Sequence, residues 1–314
     1  MGQEGGGTGG QGVVFTEVGP RDGFQNLKET LPTADKLAVI EGLLATGVDC
    51  VEVTSFVSPA WVPQLADAEA VCRALDPARL RDRVRVLVPN RRGLERALAA
   101  GVGHVLVTIG VTDGFNRRNV NCSVDQSLGQ LGEIVAAAEG AVDVSLSVAF
   151  GCPFEGAVAP ARTAALARAC LDAGAAEVGL ADTIGVADPA QVRALLGAVV
   201  SAGVPLDRIS LHLHDTRGMG LANVLAGWEA GVRRFEGSVG GIGGCPFSPR
   251  ATGNVCSEDL LHLLARMGAG ISADLGRYCQ VATQVAALLD RELPGRLHRA
   301  GLWDGRPVSE APAG

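Results

Sequence analysis

The residues best suited to chemistry lie close together at 211–215, where the sequence reads LHLHD. His212 and His214 follow an apolar run, which indicates the end of a β-strand. Strand alternation puts residues i and i+2 on one face, roughly 7 Å apart. Two imidazoles on one face can bind a divalent ion, because much of their population is uncharged near neutral pH. The spacing therefore predicts a metal site; the alternative is two histidines satisfied by hydrogen bonds within the core.

Further polar residues follow other predicted strands and can complete such a site. Asp22 comes directly after the first strand, and Asn254 closes a glycine-rich stretch after the eighth. One carboxylate, two imidazoles and an amide oxygen suit Mg²⁺ or Mn²⁺, whereas a closed zinc site would favour thiolates. Asp22 precedes Gly23, so its alternative role is to form a turn.

Three more residues could act beside the metal. Arg21 adjoins Asp22, and its cation could stabilise an oxyanion; the alternative is a surface salt bridge. Glu52, in the second strand, either takes part in catalysis or holds Arg21 in place.

Cys245 lies in the loop GGIGGCP at 240–246. A thiol with a pKa of about 8.5 in a mobile loop can give or take a proton, while a buried structural cysteine is the alternative.

Short β-rich runs alternate with helical runs along the chain, and this pattern predicts how the residues are positioned. The predicted strands cover residues 13–18, 49–54, 84–88, 104–109, 143–150, 176–181, 209–214 and 234–238. The predicted helices cover residues 33–45, 64–74, 92–100, 124–138, 160–173, 189–201, 220–230 and 257–267. Repeated strand–helix units indicate a (β/α)₈ TIM barrel, whose functional residues gather at the carboxyl ends of the strands. A doubly wound open sheet is the alternative, but no G-x-G-x-x-G opens a helix after the first strand.

The remaining segments lie outside this repeat. Residues 271–289 are predicted to form an extra C-terminal helical segment packed outside the barrel. We therefore predict a flexible glycine-rich tail over 1–12, one catalytic barrel domain over 13–293 and a C-terminal tail over 294–314.

The composition and charge of the chain argue against several classes of function. The chain has 314 residues and a net charge of −7, which argues against a nucleic-acid partner. No apolar run approaches the roughly 18 residues of a membrane span, and the start lacks a secretory signal. We therefore expect a cytoplasmic protein with reduced thiols. The only lysines are Lys28 and Lys36, both just after the first strand, which argues against Schiff-base, pyridoxal and modified-lysine chemistry.

Three motifs together resemble those of 3-hydroxy-3-methylglutaryl-CoA lyases, within the metal-dependent lyase and Claisen-condensing barrel superfamily. They are VGPRDGFQN at 18–26, TSFVSP at 54–59 followed by WVPQ at 61–64, and GGCP at 243–246 followed by GN at 253–254. The resemblance runs in order from about residue 13 to residue 289. The chain departs from the family at Phe24, at 27–29 and at 217–219.

The resemblance implies a divalent ion, Mg²⁺ or Mn²⁺, an acyl-CoA substrate and a homodimer. It places Arg21 near the thioester carbonyl and gives Cys245 a role in proton transfer. Arg117 and Arg118, in the loop after the fourth strand, would meet CoA phosphates or form a solvated basic turn. The implied metal ligands are Asp22, His212, His214 and Asn254; the catalytic residues are Arg21, Asp22, His212, Cys245 and Glu52; and the substrate-binding residues are Arg21, Gln25, Ser55, Asp182, Arg117 and Arg118.

The implied activity is cleavage of 3-hydroxy-3-methylglutaryl-CoA, or a close 3-hydroxyacyl-CoA analogue, to acetyl-CoA and acetoacetate. The metal would lower the pKa of the substrate hydroxyl, and Asp22 or His212 could remove its proton. The alternatives are a Claisen-condensing synthase, a lyase for another 3-substituted glutaryl-CoA, a biotin-dependent carboxyltransferase and a non-catalytic barrel. The GGCP loop argues against the synthases, which usually also carry a regulatory domain. The segment ADT at 181–183 lacks the lysine that a carboxyltransferase uses.

Overall fold

Eight parallel strands form a closed barrel in the computed structural model, which describes residues 12–244 and 253–303. The strands are β1 Val14–Glu17, β2 Cys50–Ser55, β3 Val84–Leu87, β4 Val105–Gly110, β5 Val142–Ser147, β6 Glu177–Ala181, β7 Ile209–His212 and β8 Arg234–Gly237. Each strand pairs with its neighbours in chain order, and β1 pairs with β8 to close the ring. Closure confirms the (β/α)₈ prediction and rules out the open sheet.

Helices connect the strands and cover the outside of the barrel. They are α1 Thr33–Ala45, α2 Ala68–Ala74, α3 Pro77–Asp82, α4 Arg91–Ala99, α5 Asp113–Val120, α6 Val124–Ala137, α7 Pro160–Asp172, α8 Pro189–Ser201, α9 Gly220–Glu229, α10 Ser257–Arg266, α11 Leu275–Leu288 and α12 Leu297–Ala300. Buried Val, Leu, Ile and Ala side chains fill the space between helices and strands. The predicted extra helical segment is α11, and its Tyr278 is completely buried. No helix in the described parts of the chain is long and apolar enough to cross a bilayer.

Two strands end two or more residues before their predicted limits, and the local backbone explains both. β5 stops at Ser147 because Val148 adopts a φ of 57°, and its N–H donates to Thr183 Oγ1 at 2.8 Å. β7 stops at His212 because the chain then pairs with the segment around Asn254: His214 forms an isolated antiparallel bridge with Asn254, and Val255 N donates to Leu213 O at 2.9 Å. Because β7 ends early, His214 lies next to the loop that follows β8.

The helix prediction missed α3 and α5, although both begin with recognisable caps. The Asp76 carboxylate accepts from the N–H groups of Ala78 and Arg79, and Pro77 occupies the first turn of α3. Thr112 Oγ1 accepts from Phe115 N at the start of α5. The prediction that Arg117 and Arg118 lie in a loop is therefore wrong, because both are exposed residues of α5.

The chain from 294 to 300 differs from the frayed tail that we predicted. Leu297 is buried, and the Asp259 carboxylate accepts from the N–H groups of Arg296 (3.0 Å) and Leu297 (2.7 Å) at the start of α12. Gly295 N also donates to Gly240 O at 3.1 Å. A carboxylate that satisfies free N–H groups at a helix start favours the helix over a tail.

A part-buried ion pair lies near the amino-terminal end of the barrel. His104 precedes β4, and its Nε2 lies 2.7 Å from Oδ2 of Asp143 on β5. Burial disfavours the charged imidazole, but hydrogen bonds to Asp143 and Cys50 and the Asp143 charge outweigh it and raise the pKa of His104 to about 10.

We expect His104→Gln to lower the free energy of unfolding by about 2 kcal/mol near pH 6, the usual value for a hydrogen bond to a charged group. The folded pKa of about 10 lies above the unfolded value of 6.5. The stabilisation is therefore fully present below about pH 6.5 and is lost as the pH rises towards 10. Urea unfolding at several pH values, with His262→Gln on α10 as the control, measures this. A difference between wild type and His104→Gln that stays constant over this range contradicts the prediction.

Candidate active site

Arg21 and Asp22 lie in a buried turn of π-helix, Gly19–Gly23, which follows β1 at the carboxyl end of the barrel. Gly19 is required there, since an added Cβ would lie 2.6 Å from Glu17 Oε1. The same carboxylate oxygen accepts from Gly19 N at 2.6 Å. This contact fixes the turn against the strand and directs the next two polar side chains into the barrel mouth.

Asp22 is the centre of the site. Its Oδ1 accepts from Arg21 Nη1 (2.7 Å) and from Gln25 Nε2 (2.9 Å), and its Oδ2 accepts from Asn254 Nδ2 (2.7 Å). Burial alone would raise the pKa of Asp22, but the Arg21 charge, with smaller contributions from the histidines and Asn254, holds that pKa below its usual value. Asp22 is therefore an anionic carboxylate near neutral pH.

The two histidines converge on the same point. His212 Nε2 and His214 Nε2 lie 3.1 Å apart, and one ligand atom from each of Asp22, His212 and His214 falls within 4.8 Å of the others. Both rings are buried. The sequence prediction that these three residues come together is confirmed by their positions.

The surroundings shift the pKa values of the two imidazoles in opposite directions. Burial and the neighbouring His212 lower the pKa of His214 to about 3, so this ring is neutral. Burial opposes charge on His212 as well, but its Nδ1 lies 2.8 Å from Glu236 Oε2, and the bond to that carboxylate raises the pKa of His212. Glu236 thereby holds the His212 ring so that Nε2 faces Asp22 and His214.

The donors fit a hard divalent cation. Asn254 Oδ1 and His214 Nδ1 are buried and have no hydrogen-bond partner within the described ranges. Rotation of the Asn254 amide would exchange this oxygen with Nδ2, which now contacts Asp22. Two imidazole nitrogens, an anionic carboxylate and a free amide oxygen form a donor set that suits Mg²⁺ or Mn²⁺ better than a thiolate-preferring ion.

The loop after β8 lies directly against Asn254. Asn254 Nδ2 also donates to Ile242 O at 3.2 Å. Gly243 has a φ of 140°, and a Cβ there would lie 2.5 Å from Asn254 Nδ2. Only glycine lets this backbone pass so close to the amide, which explains part of the glycine-rich pattern seen in the sequence.

Glu52 binds the Arg21 guanidinium and fixes its position. Its Nε donates to Glu52 Oε1, and Glu52 is completely buried. Burial would lower the pKa of Arg21, but the charges of Glu52 and Asp22 outweigh it and raise that pKa, so the guanidinium is always charged. Of the two roles predicted for Glu52, the observed contact is the one that holds Arg21 in place.

Sequence reasoning missed two residues behind the site, Arg85 on β3 and Glu236 on β8. Arg85 donates to Glu52 and to Glu236, and Glu236 in turn orients His212. The available signal was a charged residue at an interior position of each of these short strands, VRVL and RFEG. A charge inside a barrel strand is a candidate for a buried polar cluster.

Glu17, at the end of β1, was also missed. Its carboxylate accepts from Gly19 N and Val239 N (2.9 Å), from Ser257 Oγ (2.6 Å), and from the hydroxyl of Tyr278. Burial raises the pKa of Glu17 to about 7, although these hydrogen bonds oppose the shift. Glu17 therefore joins the turn that carries Asp22 to the loop after β8 and to the outer helices.

The other predicted site residues within the described ranges are not part of the Asp22–His212–His214 cluster. Ser55 ends β2, and its buried Oγ has no hydrogen-bond partner among the described residues. Asp182 accepts from the N–H groups of Val186 (2.8 Å) and Ala187 (3.0 Å), so it shapes its own loop. Arg118 donates to Gly114 O at 2.7 Å and stacks on Phe154. Cys245 lies outside the described residues, and its role stays a prediction, as do the substrate contacts of Ser55, Asp182, Arg117 and Arg118.

Comparisons with known proteins agree with this geometry. The HMGL-like family profile matches residues 12–285. The (R)-citramalyl-CoA lyase of Chloroflexus aurantiacus is 41% identical over 96% of this chain and 99% of its own length. The hydroxymethylglutaryl-CoA lyase of Pseudomonas mevalonii is 42% identical over 89% of this chain and 93% of its own length.

A solved structure shows the same likeness. The HMG-CoA lyase of Acinetobacter baumannii, in complex with coenzyme A and 3-methylmalate, superimposes with a TM-score of 0.88 at 34% identity. The match covers 96% of this chain and 98% of that one. Fold, ligand cluster and relatives lead to one conclusion: this chain belongs to the HMGL-like family and is a carbon–carbon lyase of that family.

Proposed function

We propose that the protein cleaves 3-hydroxy-3-methylglutaryl-CoA, or a close 3-hydroxyacyl-CoA analogue, to acetyl-CoA and an oxo acid. The observation that carries this proposal is the convergence of Asp22, His212 and His214 within 4.8 Å beside Arg21. This arrangement can hold a cation and place a guanidinium next to it. A metal-assisted cleavage of a β-hydroxy thioester needs both.

The cation site would be formed by Asp22, His212, His214 and Asn254, and we propose Mg²⁺ or Mn²⁺ as the ion. A divalent ion bound there would lower the pKa of the substrate hydroxyl and orient it. Burial of all four residues excludes water from the donors and keeps their dipoles fixed.

Different side chains would then remove the substrate proton, stabilise the developing negative charge and protonate the product. Asp22 or His212 takes the proton of the tertiary hydroxyl, and the electron pair of that O–H bond forms the carbonyl of the product. The carbon–carbon bond breaks, and its electron pair moves into the enolate of acetyl-CoA. The Arg21 guanidinium stabilises the enolate oxygen, a contribution on the order of 3–4 kcal/mol for one such donor. Cys245 protonates the enolate carbon.

A shorter acyl chain is the second candidate, and the (R)-citramalyl-CoA lyase relative favours it. Citramalyl-CoA has one methylene fewer than 3-hydroxy-3-methylglutaryl-CoA, so the same bond cleavage would release pyruvate instead of acetoacetate. The chain also departs from the lyase motif at Arg217. Its Nη1 donates to Ile184 O (2.8 Å) and Gly185 O (2.7 Å), which links the loops after β6 and β7.

We also propose, from the sequence, that Arg117 and Arg118 meet the CoA phosphates and that the enzyme is a cytoplasmic homodimer. The exposure of both arginines on α5, at the carboxyl end of β4, supports the first of these points.

The reaction itself provides the first test. With Mg²⁺, 3-hydroxy-3-methylglutaryl-CoA should yield equal amounts of acetyl-CoA and acetoacetate; a chelator should abolish this, and added Mg²⁺ or Mn²⁺ should restore it. Citramalyl-CoA, assayed in parallel for pyruvate, identifies the preferred acyl chain by kcat/KM. Release of acetyl-CoA from neither thioester contradicts the proposed reaction, and activity that is indifferent to chelator contradicts the metal.

The cation site is tested without any substrate. We expect His214→Ala to weaken Mn²⁺ binding by more than the roughly 10–100-fold that follows loss of a ligand's outer partner, because a ligand itself is removed. Calorimetric titration measures the Kd, and His262→Ala on α10 is the control. Equal affinities in wild type and His214→Ala would remove His214 from the ligand set.

The thiol is tested by its effect on turnover. We expect Cys245→Ser to lower kcat by about 10²–10⁴, the usual contribution of a proton-transfer group, with little change in KM. Cys279→Ser, in α11 on the outside of the barrel, is the matched control. A Cys245→Ser enzyme with unchanged kcat would exclude the thiol from the mechanism.

A further inference from the structure

Arg85 is the largest side chain that is completely buried in the described structure, and it lies inside the barrel. It belongs to β3, and the register of the sheet places it directly opposite Glu52 on β2. A buried guanidinium is costly unless carboxylates surround it, so its presence inside the barrel calls for an explanation.

Three carboxylates surround the guanidinium. Arg85 Nε and Nη2 donate to Glu52 Oε2 at 2.9 and 2.5 Å, and Nη2 also donates to Glu236 Oε1 at 2.6 Å. The third contact, from Nη1 to Asp143 Oδ2, is longer at 3.3 Å. The three shorter contacts therefore reach Glu52 and Glu236, the two carboxylates that contact Arg21 and His212.

Each of these two carboxylates uses its second oxygen to hold a residue of the site. Glu52 Oε1 accepts from Arg21 Nε, and Glu236 Oε2 lies 2.8 Å from His212 Nδ1. A carboxylate is planar, so fixing one oxygen also fixes the direction in which the other points. One guanidinium thus sets the orientation of both a cation ligand and the arginine that would face the thioester.

We infer that Arg85 is a positioning residue, which holds His212 and Arg21 in a fixed relation through Glu236 and Glu52. The part of this inference that concerns catalysis rests on the proposed function, whereas the part that concerns the cation site does not. Without the guanidinium, Glu52 and Glu236 would be buried carboxylates that repel each other. Each would then turn or take up a proton, and His212 would lose the partner that fixes its ring.

If Arg85 had a purely structural role, its loss would affect stability but not metal affinity. In that case Arg85 would only neutralise the barrel interior, as His104 does at the same oxygen of Asp143. Loss of either cation would then lower stability and leave the folded protein's metal affinity unchanged. His104→Gln is therefore the matched control, because it disturbs the same cluster without touching Glu52 or Glu236.

The decisive experiment compares Mn²⁺ binding and turnover in wild type, Arg85→Lys, Arg85→Met and His104→Gln. Lysine keeps the charge, which guards against failure to fold, but an ammonium lacks the planar fork that reaches both carboxylates at once. We expect Arg85→Lys to raise the Mn²⁺ Kd by about 10–100-fold and to lower kcat, with a larger loss in Arg85→Met where it folds. His104→Gln should lower Tm while its Mn²⁺ Kd stays within about twofold of wild type.

Two results would overturn the inference. One is a folded Arg85→Lys protein with wild-type Mn²⁺ affinity and kcat. The other is an equal loss of affinity in His104→Gln, which would mean that any loosening of the barrel acts on the site. The titration uses no thioester, so a wild type that binds Mn²⁺ and cleaves no acyl-CoA refutes the proposed function, while the comparison of Mn²⁺ affinities still decides the role of Arg85.

Discussion

A chain of alternating charges inside the barrel is the interaction on which the proposed active site depends. It runs from Asp22 through Arg21, Glu52 and Arg85 to Glu236, whose second oxygen binds His212. TIM barrels are usually filled by branched apolar side chains, and this interior departs from that pattern. Because each buried charge is balanced only by its neighbours, removal of one member leaves an uncompensated charge at a cost of about 3–5 kcal/mol. The same requirement makes the orientation of each member depend on the next.

The two ends of this chain of charges meet through residues that are distant in sequence. Asn254 contacts Asp22 across the barrel mouth, and the bridge between His214 and Asn254 draws the end of β7 to the loop after β8. Glu17 ties the same loop to the turn that carries Asp22. The proposed cation site is thus assembled by backbone segments from opposite ends of the barrel sequence, and it can form only when the barrel is closed.

The sequence predicted the parts of this structure that leave a local signal. All eight strands lie within a few residues of their predicted limits, because short hydrophobic runs between helical segments mark them. The histidine pair was found from its i, i+2 spacing at the end of a strand, and Asp22 from its place directly after the first strand. Arg85, Glu236 and Glu17 were not found, because a single charge in a short strand points inwards or outwards depending on a register that sequence does not show. The caps of α3 and α5 did leave local signals, but the predicted helices did not include them.

Anomalous diffraction from crystals grown with Mn²⁺ would show whether Asp22, His212, His214 and Asn254 surround one cation. We expect a single strong anomalous peak bounded by these four side chains, with the Asn254 amide oxygen turned towards it and Glu236 still bound to His212. Two results would contradict this arrangement. One is an anomalous peak elsewhere in the protein. The other is a Mn²⁺-saturated protein in which Asn254 Nδ2 still donates to Asp22 and no peak lies between these two side chains.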